Sequence, residues 1–178
     1  MNAPPFHALL DQLERRGVRY VLIGVGGANH YATDPSAYFK TYDRDLFVPP
    51  DPANLVEAWA ACEALGLPLT CSGEPLDMPR DLWLAERVVQ NRALTRAVLE
   101  PDLSVDFTLV MAGFDFEAVW RERRMFSLEG VGVQVARLTH IVTSKALAGR
   151  PKDQLFLATH AEALRELLPK DEPPRSKH

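Results

Sequence analysis

The 178-residue chain predicts an α/β (α+β) fold, a mixed sheet flanked by helices. Three observations carry that expectation. Short β-branched runs bounded by glycine or proline interleave with amphipathic stretches, and a helix follows the second of those runs. A hydrophobic content of 47% against 25% charged residues supplies core material for one domain of ordinary composition.

Each element has its own signal. Pro4 and Pro5 open a helix whose Phe6, Leu9, Leu10 and Leu13 form one stripe, and Gly17 closes it. VRYVLI (18–23) reads as a buried strand, followed by the glycine-rich, helix-compatible GVGGANHYA. TYDRDLFV (41–48) is the next strand, stopped by Pro49 and Pro50, and 51–66 is a helix with an N-terminal signal and a terminal glycine. Residues 67–80, rich in Pro, Gly and Ser, read as a loop, and DLWLAERVVQ as a helix. RALTRAVL (92–99) fits strand or helix equally. LSVDFTLV (103–110) is a strand, FDFEAVWRERR (114–124) a helix, VGVQVARL (131–138) a strand and THIVTSKALAG a helix. Pro151 precedes one last helix, DQLFLATHAEALRELL. Residues 1–168 are expected to form one domain with a helical C-terminal part (138–168), and 169–178 a disordered tail.

Bulk properties exclude several classes. A net charge of -4 calls for neither nucleic acid nor a membrane surface, although Arg121, Arg123 and Arg124 cluster, as do Arg150 and Lys152. Cys62 and Cys71 fit neither a zinc pattern nor a disulfide framework and read as plain thiols. The first residues lack the pattern of a secretory signal, and no apolar run approaches a membrane span. A cytoplasmic, soluble protein with no membrane partner is therefore expected.

Three features carry candidate chemistry. A strand alternates its faces, so Asp43 and Asp45 share one face while Arg44, Leu46 and Val48 share the other. Two adjacent carboxylates repel, and an arginine, a helix N-terminus or a metal ion would each relieve them. Asp106 lies inside a strongly apolar strand, where a carboxylate is costly unless it is paired, metal-bound or at an edge. Three carboxylates converging from adjacent strands would hold two divalent cations, suited to in-line phosphoryl displacement. Gly24, Gly26 and Gly27 form a turn that lets backbone N–H groups approach an anion, or that simply permits tight packing; it is neither a Walker A loop nor a GxGxxG fingerprint. SKALAGRPKD (144–153) brings Lys145, Arg150 and Lys152 together, either as phosphate-binding cations or as a solvated helix end.

In this order, GVRYVLIGVGGANHYA, TYDRDLFV, VDFTLV and THIVTSKALAGRPKDQLFLATHAEAL resemble the nucleotidyltransferase superfamily, in particular its minimal, AbiEii-like subgroup, which includes toxin and antitoxin proteins. The resemblance spans roughly Gly17 to Leu164. It implies a magnesium-dependent enzyme that moves a nucleoside monophosphate from an NTP such as ATP to a hydroxyl. Gly26 and Gly27 would meet the nucleotide phosphates together with Lys145, Arg150 and Lys152. Asp43 and Asp45 would hold both magnesium ions, and Asp106 the ion that activates the acceptor. The chain departs from the pattern in its GVGG turn and in a long stretch before the aspartates, where Tyr38 and Phe39 suggest a lid or base-stacking loop. Phe156 also stands where the family often has another aspartate.

The acceptor implied is a tRNA end, a protein side chain or a small molecule. Two rival readings stand beside the enzyme. One is a catalytically silent protein of the same fold that binds a toxin or antitoxin partner. The other is a structural domain whose acids pair with Lys40, Arg44 or Lys145. His30, His140 and His160, and Trp59, Trp83 and Trp120, read as packing residues.

Overall fold

The computed structural model describes residues 4–32 and 38–171. The chain begins with helix α1 (Pro5–Arg15), strand β1 (Val21–Ile23), the short helix α2 (Gly24–Ala28) and strand β2 (Asp43–Phe47). Helix α3 (Pro52–Ala64), β3 (Leu69–Cys71), β4 (Glu74–Pro75), α4 (Leu82–Gln90), β5 (Thr95–Glu100) and β6 (Leu103–Thr108) follow. The remainder comprises α5 (Phe116–Arg121), β7 (Arg124–Leu128), β8 (Val131–Val135), α6 (Leu138–Ala148), α7 (Pro151–Thr159) and α8 (Ala161–Leu167). The eight strands form one open mixed sheet in the order β4-β3-β5-β6-β2-β1-β8-β7.

Local chemistry explains the helix starts. Asp51, Asp81 and Asp115 each accept a backbone N–H in the first turn of α3, α4 and α5, at 3.0, 3.1 and 2.9 Å. Pro5, Pro52 and Pro151 occupy first helical positions, where the missing N–H costs nothing.

The sheet buries both faces. On one, Leu22, Leu46, Phe107 and Val135 pack beneath the apolar stripes of α1, α3 and α4. On the other, Val21, Ile23 and Phe47 meet Phe116 and Val119 of α5, Leu138 and Ile141 of α6, and Leu164 and Leu167 of α8. The α6–α8 layer covers only part of that face, and the uncovered part is a cleft. No helix among the described residues is long and apolar enough to cross a membrane.

Several sequence expectations need correction. The expected loop 67–80 contains the β3–β4 hairpin, whose tight turn uses left-handed Ser72 and Gly73. Of the 92–99 run, which fitted strand or helix equally, residues 95–99 lie in strand β5. The helix expected through Arg124 ends at Arg121, and MFSL pairs with β8 through a turn at Glu129 and Gly130, both with positive φ. The single C-terminal helix breaks at His160, whose ring packs on Phe39 and Phe156. The first residues of the expected disordered tail are ordered. Asp171 is buried, accepts from the backbone N–H and hydroxyl of Thr139 at 2.9 Å each, and faces Arg124 and Arg137. Residues 172–178 of that tail lie outside the described residues. Trp59 is core and donates to Thr95 (3.1 Å). Trp83 is 63% exposed and instead stacks against Arg87. Trp120 is partly buried, with Arg19 and Arg123 over its ring.

Candidate functional site: an acidic row facing a basic corner

Register builds the centre of the cleft. Strand β2 runs antiparallel to β1 and parallel to β6, which in turn runs antiparallel to β5. Ile23, Asp45, Asp106 and Arg96 are therefore consecutive partners in one row across four strands. Asp43 lies one row away on the same face, opposite Ser104. Arg44, between the two acids, points to the other face and packs over Phe6. The alternation read from TYDRDLFV thus holds.

The three acids have different surroundings. Asp106 is only 5% exposed, and Arg96 grips it with a two-pronged guanidinium: Nε to Oδ1 at 2.7 Å and Nη2 to Oδ2 at 3.1 Å. Asp43 is exposed and accepts the Ser104 hydroxyl at 2.7 Å. Asp45 receives no hydrogen bond among the described residues. Burial, then the charges of Asp106 and Asp43, push its carboxyl above the usual carboxylate range, against the pull of Lys145 and Lys152. In the structural-domain reading these acids pair with Lys40, Arg44 or Lys145; the hydrogen-bond partners of Asp106 and Asp43 are instead Arg96 and Ser104.

The glycine turn divides its duties. Gly24 has φ +67, and a Cβ there would stand 2.7 Å from Asp45 Oδ2. Only a glycine lets the chain leave β1 under that carboxylate. Gly26 and Gly27 are buried in α2, where added Cβ atoms would meet Arg44 Cδ (3.0 Å) and the Leu22 carbonyl oxygen (2.9 Å). Gly24, not Gly26 or Gly27, is the glycine that lines the cleft.

Opposite the acids, α6 and α7 meet in a basic corner. Asp153, fully buried at the start of α7, accepts from Arg150 (2.6 and 3.2 Å) and from Lys145 (3.4 Å). Burial alone would raise its pKa. Hydrogen bonding to Arg150, with the charges of Lys145 and Arg150, outweighs this and holds the carboxyl below its ordinary range. Lys145 also lies over the ring of Phe156, 4.8 Å from the centroid. Lys152 is exposed and forms no ion pair among the described residues. Asp43, Asp45, Asp106, Lys145, Arg150 and Lys152 all line one cleft of about 570 Å³, walled by apolar Leu94, Val110, Met111 and Ile141.

The expected lid lies partly in 33–37, outside the described residues. Phe39 is buried against Phe156 and His160, with ring centroids 5.1 and 4.4 Å apart, so it is packing, whereas Tyr38 is exposed. His140 faces Glu122 at 3.3 Å.

The donor set suits a hard divalent cation at Asp43 and Asp45: two oxygen ligands on one strand face, one of them a half-buried carboxylate with no donor of its own. Asp106 fits less well, because both its oxygens are held by Arg96. Correspondingly, no three metal-ligating side chains stand together among the described residues.

Arg96, Ser104 and Asp153 were not singled out as site residues from the sequence. Ser104 carried a readable signal, since it precedes Asp106 by the same two-residue step that separates Asp43 from Asp45. Arg96 did not, because its position on this face depends on 92–99 being a strand. Comparison of the sequence with family models and with curated proteins finds no match.

Proposed function

We propose that the protein is a nucleotidyltransferase that moves a nucleoside monophosphate from an NTP to a hydroxyl acceptor. The observation that supports this best is the single cleft in which Asp43, Asp45 and Asp106 face Lys145, Arg150 and Lys152. Phosphoryl transfer asks a protein mainly for positioning and charge stabilisation, and this arrangement offers both.

In this reading the acceptor oxygen bonds to the α-phosphorus. The bond from that phosphorus to the bridging oxygen breaks, pyrophosphate leaves with its electron pair, and the hydroxyl proton is released to water. Asp43 and Asp45 would hold magnesium, which would supply Lewis-acid charge to the phosphate oxygens. Lys152, free of any partner among the described residues, meets the triphosphate directly. Lys145 and Arg150 do so from positions fixed by Asp153. The backbone around Gly24 keeps the floor of the cleft open beneath Asp45. Met111 and Ile141 give the cleft a buried apolar side beside its charged groups.

The test is incubation with each α-labelled NTP and magnesium against pooled tRNA, protein and hydroxylated small molecules. Label should appear in one pool together with released pyrophosphate, and Asp45→Asn should lower the yield at least about 100-fold, as loss of an electrostatic group at a reacting phosphate does. No label in any pool would sink the enzyme reading. A second reading, a catalytically silent nucleotide- or partner-binding protein of the toxin–antitoxin kind, is favoured by one observation: Arg96 occupies the third carboxylate. It predicts nucleotide or partner binding without transfer.

A further inference from the structure

Arg96 and Asp106 are direct cross-strand partners, and both carboxylate oxygens of Asp106 are engaged by the one guanidinium. A divalent ion shared by Asp45 and Asp106 would have to bind an oxygen that already accepts from Arg96. It would also stand close to a fixed positive charge. Asp106 is buried, so it cannot turn to water for replacement partners. Asp43 and Asp45 are under no such restraint. Ser104 occupies only Oδ1 of Asp43, and Asp45 has no donor among the described residues.

We propose that the cleft takes one divalent cation, on Asp43 and Asp45, and that the Arg96 guanidinium stands where a second cation would otherwise bind. This rests on the reading of Asp43 and Asp45 as metal ligands, and it departs from the two-ion arrangement that the sequence resemblance implies. Arg96 is suited to the role because it is not sealed inside the sheet. It lines the reaction cleft and also a neighbouring groove of about 550 Å³ that Asp43, Glu100, Asp102 and Ser104 share.

The experiment is a Mn²⁺ titration of the full chain, with free Mn²⁺ followed by electron paramagnetic resonance, on wild type, Arg96→Gln and Asp45→Asn. Wild type is expected to saturate at one ion per chain, Arg96→Gln at two, and Asp45→Asn to lose the wild-type site. Two ions on the wild type would overturn the inference while leaving the metal-site reading intact. No ion on the wild type would remove that reading and this inference with it. An Arg96→Gln chain that still takes only one ion would also overturn it. Should that variant fail to fold, the wild-type count decides alone: one supports the inference and two contradicts it.

Discussion

Asp45 sits over Gly24 with no hydrogen-bond donor among the described residues, between two acids that each have one. Its carboxyl binds a proton more readily in the folded chain than in the unfolded one, because burial and its acidic neighbours disfavour the charge. The sign follows by linkage. The favourable, protonated state is fully present below the unfolded value of about 3.9, and stability is lost as pH rises through the higher folded value. Asp45→Asn is therefore expected to be more stable than wild type at neutral pH, with the advantage disappearing in acid. Urea denaturation of both proteins across that pH range checks it, and an Asn variant that is less stable at neutral pH would contradict it. Asp43 and Asp45 were legible in the sequence because strand alternation is a local rule. That Gly24 rather than Gly26 or Gly27 meets Asp45 was not, since it depends on where β1 ends and on the height of β2 beside it.

Among the elements, the corner between α6 and α7 places the basic groups. Gly149 closes α6 in a left-handed conformation, Pro151 opens α7, and Asp153 is buried two residues later between Arg150 and Lys145. Removing Asp153 leaves Lys145, itself mostly buried, without its ion-pair partner. Asp153→Ala should cost about 2 kcal/mol, less than the ~3–5 kcal/mol of a fully buried pair because Arg150 is more than half exposed. It should also weaken nucleotide binding, since two cations lose their fixed positions. Chemical denaturation and nucleotide titration together measure this. Because the folded pKa of Asp153 is depressed, its contribution is present at neutral pH and is lost as pH falls through the folded value. The helix ends in this corner were written in SKALAGRPKD. Strand β7 and the break at His160 were not. The first hides its alternation behind Arg121–Arg124, and the second is fixed by rings of Phe39 and Phe156 packed from distant parts of the chain.

At the scale of the molecule, the sheet order makes the site. Strands β2 and β6 are far apart in sequence yet lie parallel and adjacent, so Asp45, Asp106 and Arg96 fall in one row. Interleaved strands and helices announced a mixed sheet, but strand order is a long-range property that periodicity does not contain. The same limit hid Asp171, which looks like part of a polar tail until Arg124, Arg137 and Thr139 surround it. In the proposed function this row and the basic corner opposite bind a nucleoside triphosphate through a divalent cation. Calorimetric titration of the four NTPs with and without magnesium, on wild type and on the Asp43→Asn/Asp45→Asn double variant, tests it most directly. Micromolar binding that requires magnesium and vanishes in a folded double variant is the predicted result. A folded wild type that binds none of the four, or binds equally well without magnesium, would contradict it.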